Sequence, residues 1–175
     1  MKRWQKLLLF CALSATLIGC DRVTKDIAKS RLMNRDAISY FHDTFRLIYV
    51  ENTGAALSLG DNLGKTTSFW LLSILPLACL LALFVYTIRR AGEISTPRML
   101  CYTLIFAGGM GNIIDRIAFD RHVTDFMNIG ISGLRSGIFN FADVYITAGV
   151  IAFLIMSFQK RSPETSLNQE PPSQS

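Results

Sequence analysis

Four apolar stretches, at about residues 4–20, 68–88, 99–114 and 138–158, alternate with polar segments along this chain. A helix needs about 20 predominantly apolar residues to cross a hydrocarbon core. The second and fourth stretches meet that length, and the first and third reach it by taking in polar flanks. The pattern predicts an all-α membrane protein with four transmembrane helices, at about 4–24, 66–89, 98–115 and 138–158. These helices form one domain over residues 1–161. A soluble helical bundle is the competing reading. The segment 36–60 breaks the helical pattern. Its core, FRLIYV (45–50), has the aromatic and β-branched content of a strand. A small extracytoplasmic β-cradle is expected there, lying on the membrane surface. Gly54, followed by Ala55 and Ala56, permits a tight turn and close backbone approach at its end. Residues 116–137 read as a second external loop in the membrane interface, and 162–175 as a disordered tail rich in Pro, Ser, Gln and Glu.

Composition sharpens this picture. The chain is 50% hydrophobic and only 18% charged, against about 25% charged for an average soluble domain. Its net charge of +5 could signal nucleic acid or an anionic surface. The positive residues flank the apolar stretches and form no basic helix, so the membrane reading holds and no nucleic-acid partner is expected. With four spans, eight Lys/Arg fall on the side of the termini and ten on the other. The count therefore does not set the orientation. The basic start, Lys2, Arg3 and Lys6, favours termini in the cytoplasm of a multi-pass inner-membrane protein. Cys11, Cys20, Cys79 and Cys101 show no metal or disulfide spacing and are expected to be small buried hydrophobes. LIGC (17–20) mimics the end of a lipoprotein signal, but three further apolar stretches follow, so an uncleaved first helix is expected.

The polar residues inside these apolar stretches carry the chemistry. Asn112, Asp115 and Arg116 fall at i, i+3 and i+4 at the end of the third stretch, and Asn140 and Asp143 at i, i+3 near the start of the fourth. Asp125 lies between them. An ionisable residue at membrane depth costs about 2.5–3.5 kcal/mol on insertion scales, which marks such positions as functional by default. Helix capping and interhelical polar contacts explain one or two of these residues. They explain less well why so many gather near one membrane face. Two neighbouring carboxylates cannot both ionise cheaply, so a pair can activate water and protonate a leaving amine in turn. Read from the residues alone, Asp115 with Asp143 is the favoured pair. No metal spacing is present, and no cofactor is expected.

Five elements in order then make the chain recognisable. DRVTK (21–25), ENTGAALS (51–58), GNIIDR (111–116), HVTDF (122–126) and FNFADV (139–144) resemble the motifs of the lipoprotein (type II) signal peptidase family, an integral-membrane aspartic peptidase. The resemblance covers nearly the whole chain to about residue 158. It implies that Asp125 and Asp143 are the catalytic pair and that Asp115 is structural. Asp21, Lys25, Asn52, Gly54, Asn112, Arg116 and Asn140 become supporting or substrate-contacting residues. It further implies a site on the extracytoplasmic face and cleavage just before a diacylglyceryl-modified cysteine of a prolipoprotein. The expected partners are that substrate and membrane lipid, and the expected state is a monomer. Arg22 stands where the family usually has Gln, Glu51 where an aromatic is common, and Leu57 where Phe is usual. A carboxylate-relay transporter and a non-catalytic membrane protein or lipoprotein anchored at Cys20 are the alternatives.

Overall fold

The computed structural model describes residues 1–54, 64–131 and 133–159. Ala55, Ala56, Leu57 and the tail beyond 159 lie outside them. The chain is mostly helical and carries one small antiparallel sheet. Helix α1 spans Arg3–Leu32. Strands β1 (Ile38–Tyr40) and β2 (Phe45–Asn52) follow. A short α2 (Lys65–Phe69) runs through a π-helical turn, Trp70–Ile74, into α3 (Leu75–Arg90). Pro76 has no N–H and its ring crowds the preceding turn, which accounts for the widened helix before it. Then come α4 (Thr96–Ala118), β3 (Val123–Ile131), β4 (Leu134–Arg135) and α5 (Phe141–Gln159). The sheet order is β1-β2-β3-β4.

Among the described residues, three helices are long and apolar enough to cross a membrane: Arg3–Leu32, Trp70–Arg90 and Phe141–Gln159. Their apolar side chains point largely outward. Leu8, Leu81, Ile151 and Phe158 are each more than half exposed, as lipid contact allows and water does not. Cys11, Cys20 and Cys79 are exposed in the same way, and only Cys101 is buried, which corrects the expectation for three of the four. Helix α4 is the central helix. Its Gly108, Gly111, Asn112 and Asp115 are buried among α1, α3 and α5 rather than facing lipid, and these small and polar residues keep it out of that set of three.

Small residues let α4 and α5 approach closely. A Cβ on Gly108 would stand 2.3 Å from the Ala142 carbonyl oxygen and 2.9 Å from Ile146 Cγ1. A Cβ on Gly109 would meet only the Leu80 side chain, which can rotate. Gly108→Ala should therefore destabilise the protein by about 1–3 kcal/mol and lower activity, because Ala142 adjoins Asp143. Gly109→Ala should cost less. Thermal unfolding of both variants in detergent checks the contrast.

Helix α1 runs past residue 24, where its apolar stretch has ended. Asp21, Lys25, Ala28 and Leu32 form a buried stripe along that extension. Ala28 and Leu32 pack with Phe126 and Met127 of β3 and against Phe45, Leu47 and Tyr49 of β2. A second cluster, Phe10 with Ala91, Ile94 and Met99, holds the opposite end of α1. There Lys6 Nζ donates to the Ile94 carbonyl at 2.6 Å, fixing the N-terminal turn to the α3–α4 connection. The stretch 116–137 is not a loop: it contains β3 and β4. Residues 123–128 are buried without interruption. A strand covered on both faces lacks the alternation that would reveal it in sequence.

Candidate active site

Asn140 is completely buried where the chain enters α5, and it acts as the N-cap of that helix. Its Oδ1 accepts from the Asp143 backbone N–H at 3.0 Å, while its own N–H donates to Asp143 Oδ2 at 3.0 Å. This is a reciprocal capping box in which Asp143 takes the place usually held by Glu. The i, i+3 spacing read in the sequence is thus the cap geometry. Asn140 also does something that no cap requires. Its Nδ2 donates to Asp125 Oδ1 at 2.7 Å, so one buried residue bridges the two carboxylates, Asp125 through its side chain and Asp143 through its backbone N–H.

Asp125 reaches this position through a β-bulge. Leu47 pairs with Met127 and Val50 with Asp125, so Ile48 and Tyr49 together oppose Phe126. In a regular ladder Asp125 and Met127, two residues apart, would share a face. Met127 belongs to the core, yet Asp125 lines a cavity. A bulge bends its strand and re-aims side chains in this way.

Each carboxylate oxygen of the pair has a donor. Asp125 Oδ2 accepts from Asn52 Nδ2 at 3.0 Å, and Asp143 Oδ1 from Asn112 Nδ2 at 2.8 Å. Asn112 is itself oriented, because its Oδ1 accepts from Lys25 Nζ at 3.1 Å and from Asn140 Nδ2 at 3.2 Å. Asn52 Oδ1 accepts from the Gly54 N–H, and the Gly54 carbonyl accepts from Arg116 Nη2, both at 2.9 Å. Asp21 completes the set, with its Oδ1 accepting from the Ala142 N–H in the first turn of α5 at 2.9 Å. Asp21, Lys25, Asn52, Gly54, Asn112, Arg116, Asn140 and the two aspartates therefore form one connected network. Asp125 and Asp143 both line a cavity of about 850 Å³ whose walls are otherwise largely apolar, including Leu72, Ile113, Ile146 and Ile151. Burial pushes the Asp125 carboxyl up to about 6. The bond from Asn52 opposes that rise, and the nearby Asp143 charge adds to it.

Asp115 does not line this cavity. It is 1% exposed, with Lys25 Nζ at 2.8 Å and Arg22 Nη1 at 2.5 Å. Lys25, with no exposed surface, also holds Asp21 at 2.7 Å. Arg22 also meets the exposed Asp26 at 2.6 Å, so two cations serve three carboxylates in this cluster. It is Asp125, not Asp115, that shares the cavity with Asp143. Arg22 is the residue that sequence reasoning passed over. Its position one residue after Asp21 in DRVTK was the available signal, but its partner lies 93 residues away.

A family model described as signal peptidase II matches residues 13–159. The chain belongs to the signal peptidase II family. It is 34% identical over 139 residues to the lipoprotein signal peptidase of Borrelia duttonii, covering 77% of this chain and 80% of that one. It is 36% identical over 148 residues to the lipoprotein signal peptidase of Borreliella burgdorferi strain ZS7, covering 82% and 85%. Two solved structures described as bacterial membrane enzymes also superpose on it. One has a TM-score of 0.75 at 26% identity, covering 93% of this chain and 94% of that one. The other has a TM-score of 0.72 at 29% identity, covering 88% and 94%. Among signal peptidase II motifs, DRVTK and GNIIDR meet in the ion-pair cluster, while HVTDF and FNFADV meet at the bridging Asn140. The described part of ENTGAALS supplies Asn52 and Gly54.

Proposed function

We propose that this chain is an intramembrane aspartic endopeptidase that removes signal peptides from prolipoproteins, with Asp125 and Asp143 as its catalytic pair. The observation that carries this reading is the buried Asn140, whose side-chain amide donates to the Asp125 carboxylate and whose backbone N–H donates to that of Asp143, at the wall of one largely apolar cavity in a member of the signal peptidase II family. The substrate is cut just before its diacylglyceryl-modified cysteine, and the apolar cavity receives the end of the signal segment together with the diacylglyceryl group on the cysteine that follows it. All four long helices span the membrane, α4 enclosed by the others. The termini lie in the cytoplasm and the site on the extracytoplasmic face of the bacterial inner membrane. The protein works as a monomer, in contact with membrane lipid.

Asp125, whose carboxyl is held high by burial, carries the shared proton. Asp143 takes a proton from a water molecule as its oxygen bonds to the scissile carbonyl carbon. Asp125 gives its proton to the carbonyl oxygen. As the C–N bond breaks, Asp143 passes its proton to the leaving nitrogen, and Asp125 recovers one from the tetrahedral intermediate. Arg116 and Asn52 hold the backbone at Gly54 beside the pair.

This cycle requires the shared proton, so kcat/KM should fall as pH rises through about 6. That limb reports the free enzyme and belongs to the coupled pair. The corresponding limb of kcat should lie higher, because bound substrate excludes water and raises the cost of ionising Asp125 further. Rates at saturating and limiting substrate across pH 4–9 (approximate bounds for this carboxylate pair) check both.

The reading is tested with purified protein in detergent, offered a precursor with and without its diacylglyceryl group. Mass spectrometry should find a single cut, immediately before the lipidated cysteine and in the lipidated precursor only. Equal cleavage of both precursors, or cleavage of neither, would remove the assignment.

A further inference from the structure

The cavity at the aspartate pair continues into a second compartment. A groove of about 550 Å³ lies against Asn52 and Asp125 and shares Ser136, Gly137 and Ile138 with the larger cavity. Its character differs. The larger cavity is walled mainly by aliphatic side chains from the helices, whereas the groove is lined by Arg46, Glu51, Asn128 and Arg135 of the sheet. A peptide bond held at Asp125 and Asp143 has chain on both sides. The apolar signal segment matches the helical cavity, which leaves the sheet groove for the chain that follows the cut.

The β2–β3 pairing sets the length scale. Arg46, Ile48, Val50 and Asn52 alternate toward the groove, while Phe45, Leu47 and Tyr49 pack on α1. Val50 is paired with Asp125 and Arg46 with Asn128. The bulge adds one residue to β2, so the span is counted along β3, where Asn128 lies three residues from Asp125. At about 3.3 Å per residue, Arg46 therefore stands roughly 10 Å from the Val50–Asp125 pair, or about three residues of extended peptide. The groove is also positively biased at that end. Arg46 and Arg135 both reach Asp43, two guanidinium groups for one carboxylate. Arg46 and Ser39 hold the Asp43 carboxyl well below the usual range, so it remains an anion. Asp43 engages Nε and Nη2 of Arg46, yet the Arg46 side chain keeps 38% of its surface exposed. Glu51, which lines the groove along with Asp125, is turned toward α1, where it accepts from the Tyr49 hydroxyl at 2.5 Å and meets Lys29 at 3.4 Å.

We propose that this groove binds the residues that follow the lipidated cysteine in extended form, and that Arg46 favours an acidic side chain about three residues beyond the scissile bond. The proposal rests on the catalytic assignment above and adds to it a selectivity for the mature end of the substrate.

The test uses three lipidated precursors identical except for Asp, Asn or Lys at the third residue after the cut. For a half-exposed charge contact, the wild-type kcat/KM should fall from Asp to Asn to Lys over a range of about threefold or more, mainly through KM. The range should narrow at high salt, and it should collapse in Arg46→Gln. Equal kcat/KM for all three precursors with the wild-type protein would overturn the proposal while leaving the peptidase assignment standing. A range that persists in Arg46→Gln would overturn the role of Arg46. Because the wild-type series needs no variant, poor folding of Arg46→Gln cannot shield the proposal. Cleavage of none of the three would instead strike the peptidase reading, and this one with it.

Discussion

Asp125→Asn, and separately Asp143→Asn, will each reduce turnover by about 10²–10⁴-fold or more, the range assigned to positioned acid–base groups, while the protein still inserts in membranes. An amide can neither carry the shared proton nor take one from water. The two variants should differ in stability. The Asp125 carboxyl is 3% exposed and is raised by burial to about 6, against about 3.9 in an unfolded chain. A carboxyl with a raised folded pKa binds more protons in the native state than in the unfolded one. Stability is therefore full below about pH 4 and is lost as pH rises from there through about 6. At neutral pH the ionised, buried Asp125 is a burden on the order of 1–3 kcal/mol, which Asp125→Asn removes. That variant should be inactive and at least as heat-stable as the parent at pH 7.5, with the gain vanishing near pH 4 (both set outside the titration window). Product formation from a lipidated precursor, measured beside thermal unfolding in detergent at the two pH values, checks both parts. Near-normal turnover in either variant would return Asp115 to candidacy.

Lys25→Met will be the most destabilising single change in the site. Lys25 has no exposed surface and lies at 2.7 Å from Asp21 and 2.8 Å from Asp115. Removing one partner of a buried ion pair costs about 3–5 kcal/mol, because the remaining charge is left without compensation. Here the cation also orients Asn112, which in turn donates to Asp143. Activity should fall with stability, through misplacement of Asp143 rather than loss of a reacting group. Arg22→Gln should be milder. The Arg22 side chain is 26% exposed, and Lys25 would still neutralise Asp115. The ordering of unfolding temperatures, parent above Arg22→Gln above Lys25→Met, checks this. A Lys25→Met protein as stable as the parent would show that the cluster is dispensable to the fold.

Several features of the site are short-range and were therefore legible in the linear chain. Asn140 and Asp143 are three residues apart, and that spacing alone specifies a helix start with a reciprocal cap. Asp21 and Lys25 are one turn apart on α1, as their pairing requires. The apolar stretches mark the long helices because a lipid-facing surface must be apolar whatever the partners are. Family motifs brought in Asp125, which helix-end position alone had passed over in favour of Asp115.

Other features depend on residues far apart in sequence, and no local pattern encodes them. Arg22 finds Asp115 across 93 residues, and Lys25 finds Asn112 across 87. The strand bearing Asp125 carries no strand signal in the linear chain, because burial on both faces erases the alternation that marks a strand. Its side chain reaches the cavity through a bulge in the pairing with β2, and a bulge is a property of two strands together. The sequence by itself thus determined which residue types are available and which segments must meet lipid, since hydropathy and capping act over a few residues. Only the tertiary structure decided which carboxylates share a cavity and which are locked in ion pairs. That choice follows from the packing of α1, α4, α5 and β3 around one buried asparagine, Asn140, whose side chain donates to the Asp125 carboxylate and whose backbone N–H donates to that of Asp143.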